Sequence, residues 1–148
     1  MLSAQKNYDI IEVENLNTLQ HGFGKQKGGF MSFTIQDMML TAETRYEMKF
    51  LAGKNGWSNS ISWVHLLEDT TIIQNFWGKE LAVTTGLGFP EKEDWMHLAQ
   101  QLNRYHASGL VINVGQYIYE VPEELKAYCD ENDLPLLTVP LGSAFYQI

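Results

Sequence analysis

Apolar residues follow two rhythms along this chain. From Glu91 to Ser108, Trp95, Leu98, Ala99, Leu102 and Tyr105 or His106 recur at steps of three and four. That is one stripe of an amphipathic helix. Gly109 stands where a left-handed cap residue would end it. A second helix is expected over Glu123–Asn132, turning Leu125, Ala127, Tyr128 and Cys129 inward. Pro122 sits in its first turn, where a missing N–H costs nothing. A short helix over Ile35–Leu40 can be capped by Ser32 or Thr34, with Asp37 at its positive end. Ile72, Ile73, Phe76 and Trp77 give Thr71–Trp77 helical spacing as well.

Between these segments lie short apolar runs that read as strands: Glu80–Thr85, Leu110–Val114 and Pro135–Val139. Leu110-Val111-Ile112 and Leu136-Leu137 are continuously apolar, as parallel strands covered on both faces require. Strand, helix, strand, helix, strand from Glu80 to Val139 predicts parallel pairing through right-handed crossovers. Upstream, Met48–Ala52 and Ile61–Leu67 read as strands on either side of the turn Gly53-Lys54-Asn55-Gly56. In the second, Ile61, Trp63 and His65 take one face and Ser62, Val64 and Leu66 the other. The expected fold is α/β: a small, mostly parallel sheet with flanking helices, and a β-hairpin or arch over Met48–Leu67 attached at one edge.

Composition narrows the class. The chain has 148 residues, 45% of them apolar, and suits one globular domain. Its net charge of -8 argues against these residues gripping a nucleic-acid backbone. Cys129 is the only cysteine, which excludes a disulfide scaffold and a cysteine-rich zinc site and suggests a reducing compartment. There is no run of 18 apolar residues for a membrane span, and Met1–Tyr8 lacks a secretory core; a cytoplasmic location is expected. Residues 1–30 carry no net charge and read as an N-terminal extension, with 31–148 as the domain. Either Met31 is the native start, or the extension is a genuine tail; the sequence leaves both open.

Chemistry is sparse. No P-loop, Gly-x-Gly-x-x-Gly fingerprint or metal-ligand spacing occurs, so no cofactor and no metal are expected. Open parallel sheets bind ligands beyond their strands' carboxyl ends. Two such ends are visible, Thr84-Thr85-Gly86 and Asn113-Val114-Gly115, and their amides and hydroxyls suit a carbonyl, carboxylate or phosphate oxygen. Gln116 and Tyr117 follow, an amide and a ring suited to a planar heterocycle. The plainer reading is that the glycines only permit turns. His65 near Glu68 offers an imidazole–carboxylate pair, though no nucleophile accompanies it; a half-buried structural histidine is the plainer alternative. Cys129 reads as a small core residue. Trp63 and Trp95 are expected in the core, while Trp57 and Trp77 either form a patch for a partner subunit or pack singly.

Ile61-Ser62-Trp63-Val64-His65, Leu66-Leu67-Glu68, Gly78-Lys79-Glu80-Leu81-Ala82-Val83-Thr84-Thr85-Gly86, Ala107-Ser108-Gly109-Leu110-Val111-Ile112, Gly115-Gln116-Tyr117-Ile118, Val121-Pro122 and Leu134-Pro135-Leu136-Leu137 follow one another along the chain. Together these stretches resemble the N-terminal domain of PucR-type (purine catabolism regulator-like) bacterial transcription regulators. The segments Glu80–Gly86 and Ser108–Ile112 are also similar to the DRTGG domains and to the N-terminal domains of HPr kinase and of Mur ligases. The resemblance implies a modular regulator in which DNA is bound by a C-terminal helix-turn-helix outside this chain. It implies a non-enzymatic regulatory domain that senses a small-molecule effector, a purine-pathway metabolite or another, or transmits state by self-association as a homodimer. A protein–protein module without any ligand is the alternative, and no membrane partner is implied.

Overall fold

The computed structural model describes residues 32–140. The extension over 1–30 and the question of a start at Met31 lie outside the described residues.

Helix α1 spans Ile35–Tyr46 and opens with a capping box: the Asp37 amide donates to Thr34 Oγ1 at 3.2 Å, and the Thr34 amide donates to Asp37 Oδ2 at 3.0 Å. It runs past the expected Leu40 because Ala42 and Tyr46 continue the buried stripe of Ile35, Met38 and Met39. Strand β1 (Lys49–Ala52) follows, then a 3-10 turn (Lys54–Gly56), β2 (Trp63–Leu66) and a second 3-10 turn (Thr71–Asn75). The helical spacing of Thr71–Trp77 is thus realised as a short 3-10 helix over Thr71–Asn75, with Phe76 already extended. The regular alternation comes next: β3 (Glu80–Thr84), α2 (Lys92–Arg104), β4 (Gly109–Val114), α3 (Glu123–Glu131) and β5 (Leu136–Pro140).

The five strands form one sheet in the order β1-β5-β4-β3-β2. All neighbours are parallel except β1, which runs antiparallel to β5. The α/β class and mostly parallel sheet are as the sequence predicts. On one face, α2, α3 and the second 3-10 turn bury Leu98, Leu102, Leu125 and Ile73 against Leu110, Ile112 and Leu136. On the other, α1 buries Ile35, Met38 and Ala42 against Leu81, Val83, Val111, Leu137 and Val139. Most of these side chains are fully buried, each contributing roughly 1.5–3 kcal/mol relative to exposure.

The pairing of β1 with β2 is where expectation fails. They do not form a hairpin or arch at one edge; they are the two opposite edges. The turn between them is pinned beneath β5. The Gly53 amide donates to Asp130 Oδ1 at 2.7 Å, its φ is +77°, and a Cβ there would lie 2.0 Å from the Leu134 carbonyl oxygen. The chain then passes under β4, where Asn59 Nδ2 donates to the Ser108 carbonyl at 3.2 Å, and under β3, where the Ser62 amide donates to the Lys79 carbonyl at 2.8 Å. Only then does it rise as β2.

Two smaller corrections follow from packing. The left-handed residue after α2 is His106 (φ +61°), not Gly109. Gly109 instead begins β4 flush against Pro135 and Ile35, leaving about 3.1–3.2 Å for a Cβ. Trp95 is in the core at 3% exposure, but Trp63 lies on the edge strand and is 43% exposed.

Candidate functional site: the carboxyl-end rim

Strands β3 and β4 are neighbours, so Thr84-Thr85-Gly86 and Asn113-Val114-Gly115 leave the sheet side by side. The rim between them is filled from within. Glu68, just past β2, turns its carboxylate onto it. Oε1 accepts from the Thr85 amide at 3.1 Å, from Thr85 Oγ1 at 3.0 Å and from Thr84 Oγ1 at 3.3 Å. Oε2 accepts from Thr85 Oγ1 at 3.1 Å. The hydroxyls then pass the bonding onward: the Gly86 amide donates to Thr84 Oγ1 at 3.1 Å and the Leu87 amide to Thr85 Oγ1 at 3.3 Å. Charge-assisted bonds of this kind are about twice as strong as neutral ones.

Gly86 itself has φ +90°, and a Cβ on it would meet Ile118 and Trp95 carbons at 3.2 Å. These two side chains plug the rim with hydrocarbon. The Gly115 amide donates to the Ile118 carbonyl at 2.7 Å, closing the loop that carries Gln116 and Tyr117. Gln116 is exposed and Tyr117 half-buried. Asn113, 2% exposed, alternates with Ile112 and so sits with Val111 on the α1 side, away from Ile118 and Trp95. The Thr85, Gly86, Leu87 and Gly115 amides thus all have acceptors in this chain.

Topology explains the filling. A ligand crevice opens in α/β sheets where strand order reverses and successive connections diverge to opposite faces. Here β2, β3, β4 and β5 advance in one direction, with α2 and α3 on the same face. No reversal holds the loops apart.

The other sequence candidates separate. His65 stacks on Phe76 with ring centroids 5.2 Å apart and planes at 24°. Glu68 bonds to the threonines, so the imidazole–carboxylate pair is not formed. Cys129 is fully buried, and burial, with the Asp130 charge beside it, pushes its thiol pKa up to about 12. Trp57 packs edge-on against Phe50 of β1 at 5.0 Å. Trp77 is 98% exposed, and its amide donates to Glu80 Oε2 at 2.7 Å at the start of β3. Two strands separate β1 from β3, so the two tryptophans do not share a patch. Among the described residues no group of three or more His, Cys, Asp or Glu side chains gathers to hold a metal ion, and no helix is long and apolar enough to cross a membrane.

Sequence reading named Glu68 but assigned it the wrong partner. A carboxylate two residues past the end of a strand gives no hint that it reaches across to the next strand's end. The reading also passed over Thr138, whose signal was present: one hydroxyl inside the apolar run Leu136-Leu137-Thr138-Val139.

No curated protein matches the chain. A family model does, the one described as the purine catabolism regulatory protein-like family, over residues 38–148. That span takes in most of α1, every strand, the Glu68 clasp and both glycine-ended junctions. The chain therefore belongs to the purine catabolism regulatory protein-like (PucR) family.

Proposed function

We propose that this chain is the regulatory domain of a bacterial transcription regulator, acting without catalysis and meeting DNA only through a helix-turn-helix elsewhere in the regulator. The observation that carries this reading is membership of a regulator family across 38–148. The clasp is consistent with it: Glu68 occupies the seat an effector anion would take, so Thr84, Thr85 and Gly86 serve to fix the end of β3 relative to β2. Deleting the gene from its host and sequencing transcripts tests the reading. Expression from a defined set of promoters changes and is restored on complementation. An unchanged transcript profile across carbon and nitrogen sources contradicts it.

A second reading, self-association as a homodimer, is favoured by Trp77. A buried carboxylate, Glu80 at 5% exposure, holds the backbone of an indole that is itself almost wholly in water. A fixed, exposed tryptophan suits a protein surface better than solvent.

A further inference from the structure

Thr138 is the polar exception in β5. It is only 7% exposed, and its hydroxyl has no hydrogen-bond partner among the described residues. Its oxygen is not among the buried atoms left unpartnered, so the hydroxyl is open to a partner from outside the chain. Thr138 lines a groove of about 500 Å³ between α3 and the β1–β5 edge.

Two ammonium groups share that groove. Lys49 stands directly opposite Thr138 in the antiparallel pairing, so both side chains leave the sheet together on the α3 face. Lys126, in the first turns of α3, lies on the other wall. Lys49 has no ion pair among the described residues, and Lys126 Nζ meets only the exposed Glu123 carboxylate at 3.2 Å. Leu51, Val114 and Val121 add apolar lining, and the Tyr119 ring, 74% exposed, is available at the mouth. Glu120 and Glu123 also line the groove and balance the two lysines, which suits a single negative charge better than a dianion.

We propose that this groove is a binding site for a small organic monoanion with an apolar or planar body, its anionic end seated on Thr138 Oγ1 and Lys49 and its body against Leu51, Val114 and Val121. The size is that of small-molecule pockets generally. Calling the ligand an effector rests on the regulatory reading; the binding itself does not.

Calorimetry and NMR titration of the chain with benzoate, benzamide and inorganic phosphate test this. Benzoate binds saturably, while benzamide, the neutral isostere, and phosphate bind at least roughly 10-fold more weakly. Thr138→Val and Lys49→Gln each weaken benzoate about 10-fold. Thr138→Val keeps or raises the melting temperature, because it removes an unbonded hydroxyl without changing volume, so its lost affinity is not lost folding. No saturable benzoate binding, benzamide binding as tightly, or both variants binding like the parent overturns the site. Phosphate binding as tightly as benzoate overturns the apolar body. None of these results alters the transcript profile of the gene deletion, so the two proposals fail separately.

Discussion

Glu68 and Thr85 are joined by three contacts: the Thr85 amide at 3.1 Å and its hydroxyl at 3.0 and 3.1 Å from the two carboxylate oxygens. One acidic side chain thus ties the end of β2 to the end of β3, and the Thr84 and Thr85 hydroxyls pass the bonding on to the next two amides. Replacing Glu68 with Ala leaves several part-buried donors without acceptors. It should lower stability by about 2–3 kcal/mol, read by urea or thermal unfolding. In a double-mutant cycle, Glu68→Gln and Thr85→Val should couple by roughly 1–2 kcal/mol. Additive effects would mean that the clasp is not formed in solution.

The crossing beneath the sheet makes a second prediction through two glycines of positive φ. Gly53→Ala puts a methyl group into the Leu134 carbonyl, so the whole turn must move; the cost should exceed about 3 kcal/mol. Gly78 also has positive φ, +101°, but a Cβ there finds its nearest atom 3.7 Å away. Gly78→Ala should cost only the backbone strain, about 1–2 kcal/mol. Comparison of the two midpoints separates the close approach from the conformational term.

How much of this was legible in the sequence depends on whether the cause was local. The α2 stripe of Trp95, Leu98, Ala99 and Leu102 and the apolar runs of β4 and β5 were readable, because burial there follows a period of 3.6 or continuous hydrophobicity. The positions of β1 and β2 were not. Gly53-Lys54-Asn55-Gly56 has turn composition, but its glycines answer to Leu134 and Asp133, about 80 residues away. The rim was half legible: Gly86 and Gly115 do have positive φ at adjacent strand ends. Nothing local announced that Glu68, Ile118 and Trp95 would fill the space between them.

Cys129 offers a test of the α2/α3-side core. Burial raises its thiol pKa from 9.0 to about 12, so the native thiol stays protonated where an unfolded one ionises. A disulfide reagent at pH 8 should label it only at the rate of unfolding. The sign for stability follows. This contribution is fully present below pH 9.0 and falls away as pH rises toward about 12, because the unfolded state releases its proton first. Rapid native labelling would show that α3 opens readily.

Trp77 tests self-association. Because it is 98% exposed, Trp77→Ser should change the free energy of unfolding by no more than about 0.5 kcal/mol. Light scattering should show a dimer for the parent chain and a concentration-dependent shift toward monomer for the variant. A parent chain that stays monomeric at high concentration excludes the assembly reading.

The most direct measurement is amide hydrogen exchange at the rim, residue by residue, by NMR. The account holds that this end of the sheet is closed by its own Glu68, Ile118 and Trp95. It predicts that the amides of Thr85, Gly86, Leu87 and Gly115 are protected, and that Glu68→Ala releases Thr85, Gly86 and Leu87 while sparing Gly115. Exchange of all four at the rate of open loop amides in the parent chain would mean that the rim stands open, and would contradict it.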